Sequence, residues 1–285
     1  MRKILTVIIV LASILFIVWA FFYVKGKVLK HTNVFEPAGG IDRVQGEKTS
    51  KTPILRFAMV ADSENDNDLL AKALDQAKGS GVNFVIGLGD WSSVGTASEL
   101  TSARQVFDKS GLTYYLTSGD HDLWDSRNRG EEALTNYKQV FGEPTRQVDT
   151  NGVQFVIVDN SDIYKGISTD DWQLLTDALT KQVKLRFVFA HKTPYHPQSS
   201  HIMGEDSPQV ADQAQGFLAL LEKSKVAGFF SGDLHFFAQY KSPGGNVKIT
   251  TVGAINADRN SQGPRFSTVT VYNDYSWDVS DVEIR

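Results

Sequence analysis

The sequence predicts an α/β fold: two mixed β-sheets packed face to face with flanking helices, preceded by one transmembrane helix. Three observations carry this. From Pro53 to Thr117, β-leaning apolar runs alternate with helical periodicity, the β-α-β-α-β signature of parallel strands joined by right-handed crossovers. The C-terminal part reads instead as hairpins, and strands and helices of both kinds bury their apolar faces by stacking in layers. Ahead of both stands an uncharged apolar run, Ile4 to Val24, of about 21 residues, long enough to cross a bilayer as one helix.

At the N-terminus the rival reading is a cleaved signal peptide. Signal h-regions are shorter and end at a small-x-small site, whereas Trp19-Ala20-Phe21-Phe22-Tyr23 stands there, with aromatics suited to the membrane interface. The anchor reading is therefore preferred. Arg2 and Lys3 on one side and Lys25, Lys27 and Lys30 on the other leave the positive-inside count nearly even. The very short leading tail predicts that it stays inside and the domain is exported, giving a single-pass cell-membrane protein with an extracytoplasmic domain. Residues 31–51 carry Pro37, Gly39, Gly40 and Gly46 without periodicity and read as a linker. The expected division is thus an anchor with basic flanks over 1–30, a linker over 31–51 and a domain over 52–285.

Within the domain, Pro53 to Ala61 is the first core strand. Asn65 to Asn67 can cap a helix carrying Leu69, Leu70, Ala73, Leu74 and Ala77 at helical spacing, ended by Gly79. Val82 to Ile86 and Leu112 to Thr117 are strands, with a helix over about 97–109 between them. A polar loop over 125–130 and a helix over about 131–141 follow. Asn151-Gly152 suits a type I′ turn between the strands 146–149 and 153–158. A helix opens at Thr169, a strand runs to His191, and Lys192 to Pro208 reads as an irregular active-site loop. Val210 to Lys223 is a helix and Val226 to Phe230 a strand. Hairpins turn at Pro243-Gly244-Gly245-Asn246 and at Asn273-Asp274.

Composition narrows the chemistry. The 285 residues carry a net charge of −4 and no cysteine, which removes disulfides and thiolate-held zinc or iron–sulfur sites. A slightly acidic balance leaves no basic footprint for nucleic acid. No G-x-S-x-G elbow, Walker A loop, G-x-G-x-x-G fingerprint or H-E-x-x-H helix is present. Oligomeric state is not legible.

What the sequence does show is five apolar runs that end on acid or imidazole. They lead into Asp62-Ser63-Glu64, Gly89-Asp90, Gly119-Asp120-His121-Asp122, His191 and Gly232-Asp233-Leu234-His235. Ligands of open α/β sheets bind beyond the carboxyl ends of the strands, so this is a metal-site pattern. Singly each signal is weak, because a Gly-Asp after a strand is usually a turn. Their order, however, resembles the calcineurin-like metallophosphoesterase family, with its D-x-H, G-D, G-N-H-[DE], H and G-H-x-H succession. The resemblance runs from about Ile54 to about Gly253. Phe155-Val156-Ile157-Val158-Asp159-Asn160 and the Trp172 helix are similar to purple-acid-phosphatase-like members.

The resemblance implies a βαβ sandwich that hydrolyses a phosphomonoester, phosphodiester or phosphoanhydride with a hydroxide activated between two metal ions. It implies one ion on Asp62, Glu64, Asp90 and His235, and a second on Asp90, Asp120, His191 and Asp233. His121 would be general acid or leaving-group stabiliser, with Asp122 orienting its ring. Glu64, Asp120 and Asp233 stand where the family has histidine, asparagine and histidine. All three replacements can ligate a cation, and oxygen-rich ligation shifts preference from zinc toward manganese, magnesium or iron. Five carboxylates around two divalent ions leave the cluster net negative, which weakens its pull on an anionic ester. One trivalent iron beside a divalent ion, a protonated carboxylate, or nearby cations would restore the balance. Lys192, Arg127 and Arg129 are the candidate cations, with plain surface charge as their ordinary reading. His196 and His201 are candidate substrate contacts, and Trp91 and Trp124 can line the pocket or pack in the core. The substrate expected is a phosphate-bearing small molecule or lipid, reached from the membrane. The rival, motivated by the three acidic replacements, is a non-catalytic metal-binding or recognition domain that keeps the fold.

Overall fold

The computed structural model describes residues 51–285. The expected membrane span, and all of the linker but its last residue, lie outside the described residues. Among those described, no helix is long and apolar enough to cross a membrane.

The first half builds one sheet and its helical cover. β1 (Pro53–Val60), β2 (Phe84–Gly87) and β3 (Tyr114–Leu116) pair in parallel, linked by α1 (Asn67–Gly79) and α2 (Ala97–Ser110). Local chemistry sets the helix ends. Asp66 caps α1 by accepting from the Leu69 N–H at 3.0 Å, and Thr96 and Glu99 form a reciprocal capping box on α2. Gly111 closes α2 at φ 68°, where a Cβ would be strained. β1 is buried on both faces with a period of two. Ala58 and Val60 meet the helices, while Phe57, Met59 and Ala61 meet the second sheet.

Where the sequence predicts a polar loop over 125–130, the chain forms a 3-10 turn (His121–Leu123) running into a short helix, α3 (Trp124–Asn128). Its side chains are polar because they pair with one another and with neighbours, not because the backbone is irregular. The next helix, α4, is Thr135–Phe141, later than expected. Glu131 and Thr135 are held in turns by the carbonyls of Ser126 and Glu132.

The second sheet follows. β4 (Arg146–Thr150) and β5 (Val153–Ile157) form the expected hairpin, with Asn151 at φ 52° and Gly152 at φ 77°. α5 (Thr169–Thr180), β6 (Leu185–Phe189), α6 (Pro208–Lys223) and β7 (Gly228–Ser231) continue it. β8 (Ala238–Lys241) and β9 (Lys248–Thr251) are the first C-terminal hairpin; β10 (Arg265–Tyr272) and β11 (Trp277–Glu283) are the second. The strand orders are β11-β10-β1-β2-β3 and β4-β5-β6-β7-β9-β8, so the last hairpin returns to lie antiparallel beside β1.

Between the sheets lies an aromatic core. Phe57 packs edge-on to Phe155 at 5.2 Å and to Phe189 at 6.0 Å, and Phe189 stacks on Phe230 at 5.2 Å. α5 and α6 cover the far side of the second sheet through Leu175, Leu179, Phe217 and Leu221. This core clamps the carboxyl ends of β1, β2, β6 and β7 together at one edge. There the loops bond directly: Asp62 N to Gly89 O at 3.0 Å, and Gly232 N to His191 O at 3.0 Å.

Candidate metal centre

The residues that follow those strand ends are held in unusual backbone conformations. Asp62, Glu64, Asp90, Asp233 and His235 all lie at positive φ, between 43° and 68°. Each such non-glycine residue carries a conformational cost of order 1 kcal/mol or more, which the surrounding hydrogen bonds sustain. The result is that five side chains turn inward together. Asp62 is fully buried and both its oxygens accept the Asp233 N–H, at 3.0 and 3.1 Å. Asp90 accepts the His121 N–H at 3.1 Å.

The histidines decide what the cluster can hold. His191 donates Nδ1–H to the Leu88 carbonyl at 2.7 Å, because a carbonyl can only accept. Its Nε2 therefore faces Asp120 Oδ1 at 3.2 Å, Asp90 Oδ2 at 3.5 Å and Asp233 Oδ1 at 3.6 Å. His235 repeats the arrangement, with Nδ1 on the Asp258 carbonyl at 3.2 Å and Nε2 at 3.2 Å from Glu64 Oε1. In a neutral ring each Nε2 is a lone pair aimed at carboxylate oxygens, acceptor against acceptor. A cation must sit between them, either a proton or a metal ion, and a carbonyl on the remote nitrogen is how metal-ligating histidines are oriented. Three sets of donor atoms lie within 4.8 Å of one another: Asp62–Asp90–His191, Glu64–Asp90–His121 and Asp120–His191–Asp233. Asp233 Oδ2 is buried with no hydrogen-bond partner. This donor set fits a hard divalent cation.

Without metal, the proton does the work. Burial pushes Asp62 up and Asp90 well above the carboxylate range. Asp120, despite burial, is held far below it by the His191 hydrogen bond and the Lys192 charge. Burial likewise fails to raise Asp233, which the Lys192 ammonium and the His201 hydrogen bond hold low. Burial works against His235, yet the Glu64 hydrogen bond and the Asp62 charge lift it to about 9.

Lys192 reaches this cluster directly. Its ammonium lies 2.6 Å from Asp233 Oδ1 and 3.2 Å from Asp120 Oδ1, and its side chain is only 3% exposed. His121 turns Nδ1 onto the Ser93 carbonyl at 2.9 Å and stacks on Trp124 at 4.0 Å. Asp122 does not orient it. The Asp122 carboxylate instead accepts from the N–H groups of Asp90, Trp91, Ser92 and Gly119 and from the Ser92 hydroxyl, tying the two ligand loops together. Burial pushes its pKa up to about 6 against those donors.

The other expected cations are engaged elsewhere. Arg127 faces Asp162 at 3.5 Å and lies over the Tyr164 ring, and Arg129 pairs with Asp125 and Glu131. His196 accepts from the Gln198 and Ser199 N–H groups and packs edge-on to Phe236 and Tyr240. Trp91 is fully buried, its indole donating to the Thr117 carbonyl, so it is a core residue. Two partners had no sequence signal: Arg259, 2.7 Å from Glu64 Oε1, and Asn256, 3.2 Å from Glu64 Oε2. Both come from the loop before β10, which carries no motif. His201, expected in the irregular loop as a candidate substrate contact, places Nε2 3.3 Å from Asp233 Oδ1.

An α/β sandwich that converges carboxylates and imidazoles from the ends of its strands makes a candidate metal centre. The family model of the calcineurin-like phosphoesterases matches residues 55–237. Among solved structures, a dimetal phosphatase from Danio rerio superposes with a TM-score of 0.62 at 16% identity, covering 81% of this chain and 98% of that one. A purple acid phosphatase from yellow lupin seeds superposes at 0.55 and 14% identity, covering 80% of this chain and 51% of that one. No curated protein matches. The chain belongs to the calcineurin-like phosphoesterase family and is a metal-dependent phosphoesterase.

Proposed function

We propose that this chain is a membrane-anchored hydrolase of a phosphomonoester, phosphodiester or phosphoanhydride, working at this cluster. In this reading Asp62, Glu64, Asp90 and His235 hold a metal ion, while Asp90, Asp120, His191 and Asp233 surround a second positive charge. The single observation that supports it most is the pair of Nε2 atoms facing carboxylates, an arrangement that is stable only around cations. A bound divalent ion supplies Lewis-acid polarisation of a phosphoryl oxygen and lowers the pKa of water. The oxygen-rich donor set favours manganese, magnesium or iron over zinc.

The chain's own groups do the rest. The Ser93 carbonyl holds the His121 Nδ1–H, so Nε2 is the nitrogen left to carry a proton to the leaving oxygen. Trp124 fixes the plane of that ring. The Lys192 ammonium offsets carboxylate charge that would otherwise repel an anionic ester. Residues 1–30 are read as the anchor, 31–51 as the linker and 52–285 as the catalytic domain, exported and kept beside the bilayer. That position makes phosphate-bearing lipids and extracytoplasmic small molecules the substrates in reach.

Nitrophenol release from nitrophenyl phosphate and bis-nitrophenyl phosphate in manganese tests the chemistry. His121→Ala is expected to lower the rate by roughly 100-fold or more while leaving the metal content unchanged. A chain that binds no metal, or a variant as active as the parent, would overturn the reading.

A further inference from the structure

We propose that Lys192 is a built-in cation that takes the place of the second metal ion, so that this phosphoesterase centre binds one metal per chain. The inference rests on reading the cluster as a metal centre and concerns its occupancy.

The oxygens that face the Lys192 ammonium are Asp233 Oδ1, at 2.6 Å, and Asp120 Oδ1, at 3.2 Å. They are the same two atoms that face His191 Nε2, at 3.6 and 3.2 Å. A metal ion on the Asp120–His191–Asp233 set would bind those oxygens at about 2.1 Å. Bonded to Asp233 Oδ1, it would stand no more than about 4.7 Å from Nζ, two positive centres in a pocket with almost no water to screen them. Two ions of a dinuclear site coexist about 3.5–4 Å apart across shared carboxylates, so the ammonium keeps an ion out by already occupying these two oxygens, not by charge alone. The ammonium is tethered through a backbone that is itself fixed: the Asn160 side chain accepts the Lys192 N–H at 2.9 Å and donates to its carbonyl at 2.7 Å. The Lys192 side chain is 3% exposed, so moving the ammonium away would break both of its carboxylate pairs.

At the other pole the situation differs. The cation beside Glu64 is Arg259, whose side chain is 63% exposed. It can swing into water and leave Glu64, Asp62, Asp90 and His235 to an incoming ion. The chain therefore retains one exchangeable pole and one closed by its own ammonium. The acidic replacements follow the same logic: Asp120 and Asp233 supply the negative charge that a buried lysine needs and that neutral asparagine and histidine do not.

The test is a metal count on the full chain at saturating manganese, with the electron paramagnetic resonance spectrum of the bound ion. The expected result is about one manganese per chain showing the hyperfine pattern of an isolated ion. Lys192→Met is expected to bind about two, with the signal of an exchange-coupled pair. Lys192→Gln, which keeps a polar head of similar reach, serves if the methionine variant does not fold. Two coupled ions in the parent chain, or a folded variant that still takes one, would overturn the proposal and leave the phosphoesterase reading intact. No bound metal in the parent would overturn both.

Discussion

One hydrogen bond at each histidine decides the chemistry of the whole cluster. Because Leu88 and Asp258 carbonyls take the Nδ1 protons of His191 and His235, both Nε2 atoms are committed to the cation side. This has a pH consequence for the metal-free protein. His235 stands at about 9 in the fold against 6.5 ordinarily. The stability its imidazolium contributes is fully present below pH 6.5 and is lost as pH rises through 9. Asp62 and Asp90, raised by burial, act in the same direction. A metal ion replaces that proton and needs the ring neutral. The gain in melting temperature on adding manganese to chelator-treated chain should therefore widen between pH 6.5 and 9. A gain that shrinks across that window would show that Nε2 of His235 is not a ligand. Individual members of the cluster were legible because acid and imidazole beside glycine at a strand end are visible residue by residue. The use of Asp122 was not, since a carboxylate that bridges backbone N–H groups looks in sequence like one that orients a ring.

Elements position these residues through backbone geometry rather than through side-chain reach. The strand–glycine–acid pattern works because the glycine lets another loop approach. At Gly119 a Cβ would run into the Asp90 carboxylate and amide nitrogen. Gly119→Ala is expected to keep the native circular-dichroism spectrum and weaken manganese binding roughly 10–100-fold, by displacing Asp90, which the proposed function shares between both poles. Unchanged affinity in a folded variant would mean that Asp90 is not a ligand. Most elements were readable in advance. Asn151-Gly152 needs no tertiary help to turn a hairpin, and the Thr96–Glu99 capping box starts a helix locally. α3 was misread because its polar face is satisfied by residues just beyond it: Arg129, at its C-terminal cap, bridges Asp125, Glu131 and Asn136. Ion pairing between residues near in sequence gives no hydrophobic period to detect.

At the scale of the molecule, the two sheets bring together ends of chain far apart in sequence, such as Asp62 and Asp233, and the aromatic core between them keeps those ends in register. The anchor proposed for residues 1–30 belongs to this scale as well. It predicts that the full chain remains with membranes through an alkaline wash, while protease added outside intact cells digests the domain. Release into the wash would remove the anchor from the proposal. By itself the sequence determined the α/β class, most elements, and an ordered set of carboxylates and imidazoles, because periodicity, turn chemistry and residue type are local properties. Only the tertiary structure decided that Lys192, not Arg127 or Arg129, is the cation within the cluster, and that Arg259 and His201 join it. Which charges meet depends on where separate loops cross at the sandwich edge, and that is set by the packing of the whole core.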